Sequence, residues 1–301
     1  MKLTILGCYS ATPRVNTNPT AQVLDIKNNL FLIDCGEGTQ VQLRKNKIKF
    51  SRVKHIFISH LHGDHYFGLV GLISTFKLLT READLHIYGP KGLKEIITLQ
   101  MKLSGSWTNY KLVFHELTSK ESQLIYEDDK VEVYTIPLDH RIYTNGFLFK
   151  EKVGERKLNI GAVLNAKIDM AYYRKLKQGF DVENNEGLLI KNETVTKAGP
   201  KPKSYAFCSD TAFNESIIPI IKEVNALYHE STFLEKHSKR AHSTKHSTAK
   251  QAASIAKLGN VGTLILGHYS TRYDDLKEFK SEAKEIFKEV ELAKDGKIFE
   301  I

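Results

Sequence analysis

Four side chains able to bind a metal fall within six residues of the segment HIFISHLHGDHYFG (55–68): His60, His62, Asp64 and His65, in the order H-x-H-x-D-H. Imidazole together with carboxylate suits zinc or a similar borderline divalent ion. Alternate positions in an extended turn can send their side chains into one pocket, and Gly63 permits the tight backbone such a turn needs. The other reading is a polar surface loop in which the aspartate caps a helix. Three further candidates lie along the chain: His140 closes VEVYTIPLDH, Asp210 closes SYAFCSD, and His268 closes TLILGH. Singly, each is ordinarily a hydrogen-bonded loop residue or a cap. Together they put candidate ligands behind four separate apolar runs, and in α/β folds the strand carboxyl ends are where ligands and catalytic groups collect. The pattern predicts a dinuclear metal site. Two divalent ions in such a site lower the pKa of a bound water to near neutrality and hold a substrate oxygen while charge develops on it.

Elements must position these residues. Residues 2–7, 22–26 and 30–34 read as strands, the last two as a hairpin across KNN. A short helix is predicted near Thr39, a buried strand over KHIFIS, and one helix through YFGLVGLISTFKLL, so the histidine cluster is a strand-to-helix turn. Gly36 and Gly38 in DCGEG fit either a close approach to the site or a simple turn. Strands follow at LHIYGP, KLVFHEL, VEVYTIPL and GFLFK, with a helix from Lys91. Between 151 and 203 the pattern loosens into short helices and the irregular KAGPKPK, which reads as an insertion and not a second core. Strands return at SYAFCSD, ALYHE and TLILGH, alternating with helices near 216–222, through TAKQAASIAKLG and from Asp275 to about 287, before a terminal hairpin VELAKDGKIFEI. Two sheets face to face with helices outside, a four-layer αββα sandwich, is the predicted architecture.

Composition bounds the function class. With 301 residues and 41% hydrophobic content the chain can bury a full core. No window reads as a signal segment or a membrane span, and the expected location is the cytoplasm. Cys8, Cys35 and Cys208 are an odd number at unrelated spacings, which fits no disulfide framework and reads as three small core residues. The formal charge of +9 favours a polyanionic partner. Part of it is concentrated between Lys236 and Lys250, where five basic residues and three histidines meet no acid, and residues 151–203 hold eleven basic against seven acidic side chains.

The set SHLHGDH, PLDH, CSDT and LGH resembles the metallo-β-lactamase superfamily over nearly the whole chain. The resemblance implies the αββα fold and two Zn2+ per subunit, with a hydroxide between them. It places His60, His62 and His140 on one ion, Asp64, His65 and His268 on the other, and Asp210 on both. Three features are similar to the ribonuclease Z family, endonucleases that remove the 3′ trailer from precursor tRNA. HEST (229–232) followed by HST (246–248) implies Glu230 orienting His246 as proton donor to the leaving 3′ oxygen, with Asp64 assisting the attack. The competing reading makes His246 one of three histidines in a solvated basic loop. The insertion 151–203 stands where that family carries a tRNA-binding arm, which implies phosphate contacts from Lys175, Lys177, Lys201 and Lys203; NAKIDMAYYRK departs from the family's arm. ATPRVNTNP (11–19) occupies the loop that meets the CCA end, and Arg14 is its candidate RNA contact. The family also implies a homodimer with one subunit's arm holding the tRNA cut by the other. Two other functions fit part of the pattern: a general phosphodiesterase or small-ester hydrolase on the same site, and a noncatalytic RNA-binding protein that keeps the fold.

Overall fold

Short apolar runs with period-two alternation account for the first sheet. The computed structural model describes residues 1–301. Strands β1 (Lys2–Gly7), β2 (Ala21–Ile26) and β3 (Asn29–Ile33) pair antiparallel. Lys27 and Asn28 in the tight turn between β2 and β3 both take positive φ, 47° and 72°, the conformation that matches the strand twist in two-residue hairpins. Next, β4 (Val53–Phe57), β5 (Leu85–Pro90) and β6 (Leu112–Leu117) extend the sheet in parallel. Alternation divides the faces: Phe31, Ile33 and Phe57 turn one way, Leu30, Leu32 and Ile56 the other. Helices α1 (Thr39–Lys45), α3 (Leu69–Leu78) and α4 (Leu93–Leu103) cover the second face through Leu43, Leu72, Phe76 and Ile97.

The helix predicted through YFGLVGLISTFKLL forms as two pieces, a single turn α2 (Gly63–Tyr66) and then α3. Gly68 separates them, and a Cβ there would come within 2.1 Å of the Gly36 carbonyl oxygen. That close approach lets the Gly68 N–H donate to the Cys35 carbonyl at 2.9 Å and fastens the DCGEG loop to the histidine-rich turn.

The second sheet has the order β13-β12-β11-β10-β9-β8-β7. Its strands are β7 (Leu124–Glu127), β8 (Val131–Pro137), β9 (Asn145–Glu151), β10 (Ser204–Cys208), β11 (Ala226–Glu230), β12 (Thr263–Gly267) and β13 (Val290–Leu292). From β10 to β13 the pairing is parallel, so four strand ends, among them those of β10, β11 and β12 with their following loops, share one edge. Helices α5 (Ile218–Ile221), α6 (Ser238–Thr244), α7 (Ala249–Leu258) and α8 (Lys277–Lys284) follow, and α5, α7 and α8 pack Ile221, Ala253 and Phe279 into the core of this sheet. The inner faces of the two sheets meet through Phe57, whose ring centroid lies 5.3 Å from that of Phe147 and 5.4 Å from that of Phe149. The αββα layering expected from the sequence is the architecture found. All three cysteines are buried and free within it.

The predicted terminal hairpin does not form. β13 pairs with β12, whereas β14 (Ile298–Glu300) crosses to the other sheet and pairs with β1. Each run thereby covers an open strand edge, which a hairpin of the two would leave exposed.

Residues 151–202, with 128–130, form a separate compact unit. Contrary to the expectation of an insertion without a core, it has a small one: Val163, Ile168, Leu176, Val182 and Val195 are buried together. Polar side chains secure it where apolar periodicity is weak. Asn192 donates to the Leu176 and Phe180 carbonyls at 2.7 and 3.0 Å and accepts from the Thr196 hydroxyl at 2.7 Å. Lys175, Lys177 and Lys201 are exposed and Lys203 half-buried. No helix of the chain is long and apolar enough to cross a membrane.

Candidate metal centre

The predicted ligands arrive from four loops at strand carboxyl ends. His60, His62, Asp64 and His65 follow β4, His140 follows β8, Asp210 follows β10, and His268 follows β12. Their donor atoms gather in two groups, one of His60, His62, His140 and Asp210, the other of Asp64, His65 and His268. In the first group His62 Nδ1 lies 2.9 Å from His60 Nε2 and 3.3 Å from His140 Nε2, and Asp210 Oδ2 lies 3.6 and 3.8 Å from those two Nε2 atoms. In the second, Asp64 Oδ2 is 3.3 Å from His65 Nε2 and 3.5 Å from His268 Nε2, while Asp210 Oδ1 is 3.4 and 3.1 Å from the same nitrogens. The two oxygens of Asp210 thus face different groups.

These residues fit divalent metal ions. Donors bound to one tetrahedral zinc at about 2.0–2.1 Å stand roughly 3.3 Å apart, close to the separations in both groups. His65 Nε2 is buried with no hydrogen-bond partner, an orphan that a cation would satisfy. Buried carboxylates must be paired or coordinate a metal. Burial, with the His65 charge added for His60, pushes the imidazoles of His60, His62 and His140 down, leaving their lone pairs free. Burial would raise Asp64 and Asp210, but the histidines around them, His65 and His268 foremost, outweigh it and hold both below the usual carboxylate range. His65 is displaced upward: burial opposes this, and Asp64, Asp210 and Asp34 together prevail.

Four of the imidazoles are oriented from behind, as metal-binding imidazoles generally are. His140 Nδ1 donates to the Lys245 carbonyl at 2.8 Å, Thr232 Oγ1 meets His268 Nδ1 at 2.9 Å, and Ser59 Oγ meets His60 Nδ1 at 3.0 Å. Asp34, which sequence reasoning passed over, is fully buried and lies 2.7 Å from His65 Nδ1. The Ser59 N–H and hydroxyl hold the same carboxylate at 2.7 and 2.9 Å. The one available signal was an aspartate directly after a strand in DCGEG. Asp34, Lys245 and His268 all take positive φ, 55°, 58° and 58°, strain that an aspartate tolerates better than most residues and that concentrates at functional sites. A Cβ on Gly36 would lie 2.4 Å from the Asp64 carbonyl oxygen, so this glycine serves close approach; Gly38, at φ 77°, serves the turn. Asp34→Asn keeps size and φ tolerance but removes the charge on His65. It should weaken metal affinity about 10- to 100-fold, read by titration against a competing chelator; an unchanged affinity would deny Asp34 this part.

Glu230 and His246 also converge here. Glu230 is fully buried at the end of β11 and its Oε1 lies 2.8 Å from His246 Nδ1, while its other oxygen accepts from the Thr232 N–H and hydroxyl at 2.9 and 2.8 Å. Burial would lower His246, but the Glu230 charge and hydrogen bond overcome it and lift the imidazolium to about 9. His246 is therefore not a loose member of a basic loop: it follows α6 and lines an open cavity of about 580 Å³ with His62, Asp64, Asp210 and His268. His229 is buried, its Nδ1 2.7 Å from the Glu230 carbonyl, and His55 packs on Phe31, His86 and Tyr126 away from the cluster. Arg14 pairs with Asp274 and donates to the Tyr273 carbonyl at 3.1 Å, which ties its loop to the loop after β12.

A family model described as "Anti-Pycsar protein Apyc1" matches residues 1–156, the part that carries His60, His62, Asp64, His65 and His140. The metallo-β-lactamase fold protein YhfI from Bacillus subtilis shares the fold, with a TM-score of 0.69 and 18% identity over 99% of this chain and 98% of that one. The crystal structure of human tRNase Z, short form, matches with a TM-score of 0.73 and 29% identity, covering 100% of this chain and 99% of that one. Ribonuclease Z of Bacteroides fragilis is 46% identical over 295 residues, 98% of this chain and 97% of that protein. At that identity and over nearly its full length, the chain belongs to the ribonuclease Z family.

Proposed function

We propose that this protein is a zinc-dependent endoribonuclease that removes the 3′ trailer from precursor tRNA, leaving a 3′-hydroxyl on the tRNA and a 5′-phosphate on the trailer. The observation that carries the reading is the pairing of buried Glu230 with His246, 2.8 Å apart, His246 lining the same cavity as His62, Asp64, Asp210 and His268. Hydrolysing a thioester expels a thiolate that leaves with little help, whereas a sugar 3′-alkoxide needs a positioned acid. Glu230 engages His246 Nδ1 and leaves Nε2 to give its proton to that oxygen.

His60, His62 and His140 would hold one zinc, Asp64, His65 and His268 a second, with Asp210 between them. Bound there, the two ions supply an acidic water and electrostatic stabilisation of the phosphoryl oxygens. Asp64, kept ionised by His65 and His268, would accept a hydrogen bond from the attacking water and aim it. Exposed Lys175, Lys177 and Lys201 on the 151–202 unit, with Lys203, would meet the tRNA backbone. The reading includes a cytoplasmic homodimer.

Zinc-loaded protein assayed on precursor tRNA and on bis(p-nitrophenyl) phosphate tests it. Trailer release with a tRNA 3′-hydroxyl is expected, and deletion of residues 155–200 should abolish it while the small diester is still turned over. Hydrolysis of the diester without trailer cleavage would leave a general phosphodiesterase instead.

A further inference from the structure

The basic stretch that singled out RNA in the sequence is largely neutralised in the fold. Lys236 pairs with Glu278 at 3.1 Å, Lys245 with Asp139 at 2.9 Å and Lys250 with Glu285 at 2.7 Å. Arg14 is held by Asp274. Three other arginines line the cavity beside the metal centre: Arg141, next to His140; Arg240, on α6; and Arg272, in the loop after β12. Arg272 is committed, with Nε donating to Ser270 Oγ at 3.2 Å and its guanidinium 5.6 Å from the Phe233 ring centroid. Arg141 and Arg240 are exposed, and their guanidinium groups make no ion pair or hydrogen bond. The carboxylates lining that cavity are Asp64 and Asp210, both in the donor groups.

Two uncommitted guanidinium forks lining one cavity are suited to phosphate oxygens, which they bind in bidentate fashion. A polynucleotide brings a charged phosphate on each side of the one being cut; a lone diester brings none. We propose that Arg141 and Arg240 form a two-point clamp for the phosphates flanking the scissile one, and so select a polynucleotide over a small diester at this site. The inference rests on the endoribonuclease reading and adds the residues that enforce it. It differs from backbone contact by the arm, because the clamp acts on the nucleotides that adjoin the reacting bond.

The test compares kcat/KM on precursor tRNA and on bis(p-nitrophenyl) phosphate for wild type, Arg141→Gln, Arg240→Gln and the double variant, with Lys284→Gln on α8 as an exposed control. In the double variant the tRNA-to-diester ratio should fall at least about tenfold, and the slope of log kcat/KM against log salt should lessen by about 0.7 per arginine, the single-strand value. Arg141→Lys should recover the salt slope without the full ratio, because it restores charge and not the fork. An unchanged ratio and slope in a double variant of a tRNA-cleaving enzyme overturns the clamp alone. A wild type that turns over the diester but never precursor tRNA overturns the endoribonuclease reading and the clamp with it.

Discussion

Asp210→Ala is expected to fold and yet to cleave precursor tRNA at least about a thousandfold more slowly, with bound metal lost. The reason is its place between the two donor groups, Oδ2 toward His60 and His140 and Oδ1 toward His65 and His268. Among the seven candidate ligands it is the one whose two oxygens face different groups, so one truncation opens both. Metal ions in hydrolytic sites contribute several kcal/mol of transition-state stabilisation, and at about 1.4 kcal/mol per factor of ten that is a thousandfold or more. Plasma emission spectrometry of the desalted protein and single-turnover cleavage supply the two readouts. Thermal unfolding supplies a third: added zinc should raise the midpoint of the wild type, because an ion that binds the native state stabilises it by mass action, and should hardly move the variant. Two metals per chain and cleavage within tenfold of wild type would remove Asp210 from this position.

How much of this site could be read from the chain alone follows from where each signal is stored. His60, His62, Asp64 and His65 announce themselves because the metal preference of imidazole and carboxylate is expressed in neighbouring residues. His140, Asp210 and His268 are legible one step less directly, through the rule that strand ends converge. Asp34 was missed because its meaning is its partner: His65 lies 31 positions away, and until that distance closes an aspartate in a glycine-containing loop is a turn residue. The Lys245 carbonyl that fixes His140 is a backbone atom with no compositional signal at all.

The charge run 236–250 illustrates the opposite failure. Its neutralising partners, Asp139, Glu278 and Glu285, come from distant segments, so local density overstated the charge available to a ligand. The terminal hairpin failed for a related reason. Adjacent strands joined by a turn ordinarily pair with each other, but here each had an open sheet edge to cover, and pairing with β12 and β1 covers both edges. Topology of the αββα kind was legible because its period-two runs are long enough to divide their faces, as Phe31 and Leu32 do. In the 151–202 unit the strands are two residues long and Asn192 takes over the part of a core residue, which hydrophobic periodicity cannot register.

His246→Ala should lower precursor-tRNA cleavage by about a hundredfold to ten-thousandfold, the range of a positioned general acid, while metal content stays at the wild-type level. The discriminating feature is the leaving group. A 3′-alkoxide must be protonated as it departs, whereas nitrophenolate leaves unaided, so the same variant should lose far less on bis(p-nitrophenyl) phosphate. Equal losses on the two substrates would make His246 a binding or structural residue. Glu230→Gln separates the donor from its support. Burial pulls the pKa of the imidazole down, and the Glu230 charge and hydrogen bond, with a smaller push from Asp210, raise it to about 9. Glutamine retains a hydrogen-bond acceptor but removes the charge, so burial wins and the pKa falls. A donor works only in its protonated form, so cleavage by either enzyme declines as pH rises through the pKa of His246. The alkaline limb of the kcat profile should accordingly move to lower pH in Glu230→Gln, with activity recovering toward the acid side. A limb that stays in place would assign it to another group and reduce Glu230 to a residue that merely holds Thr211 and Thr232 through their backbone N–H groups.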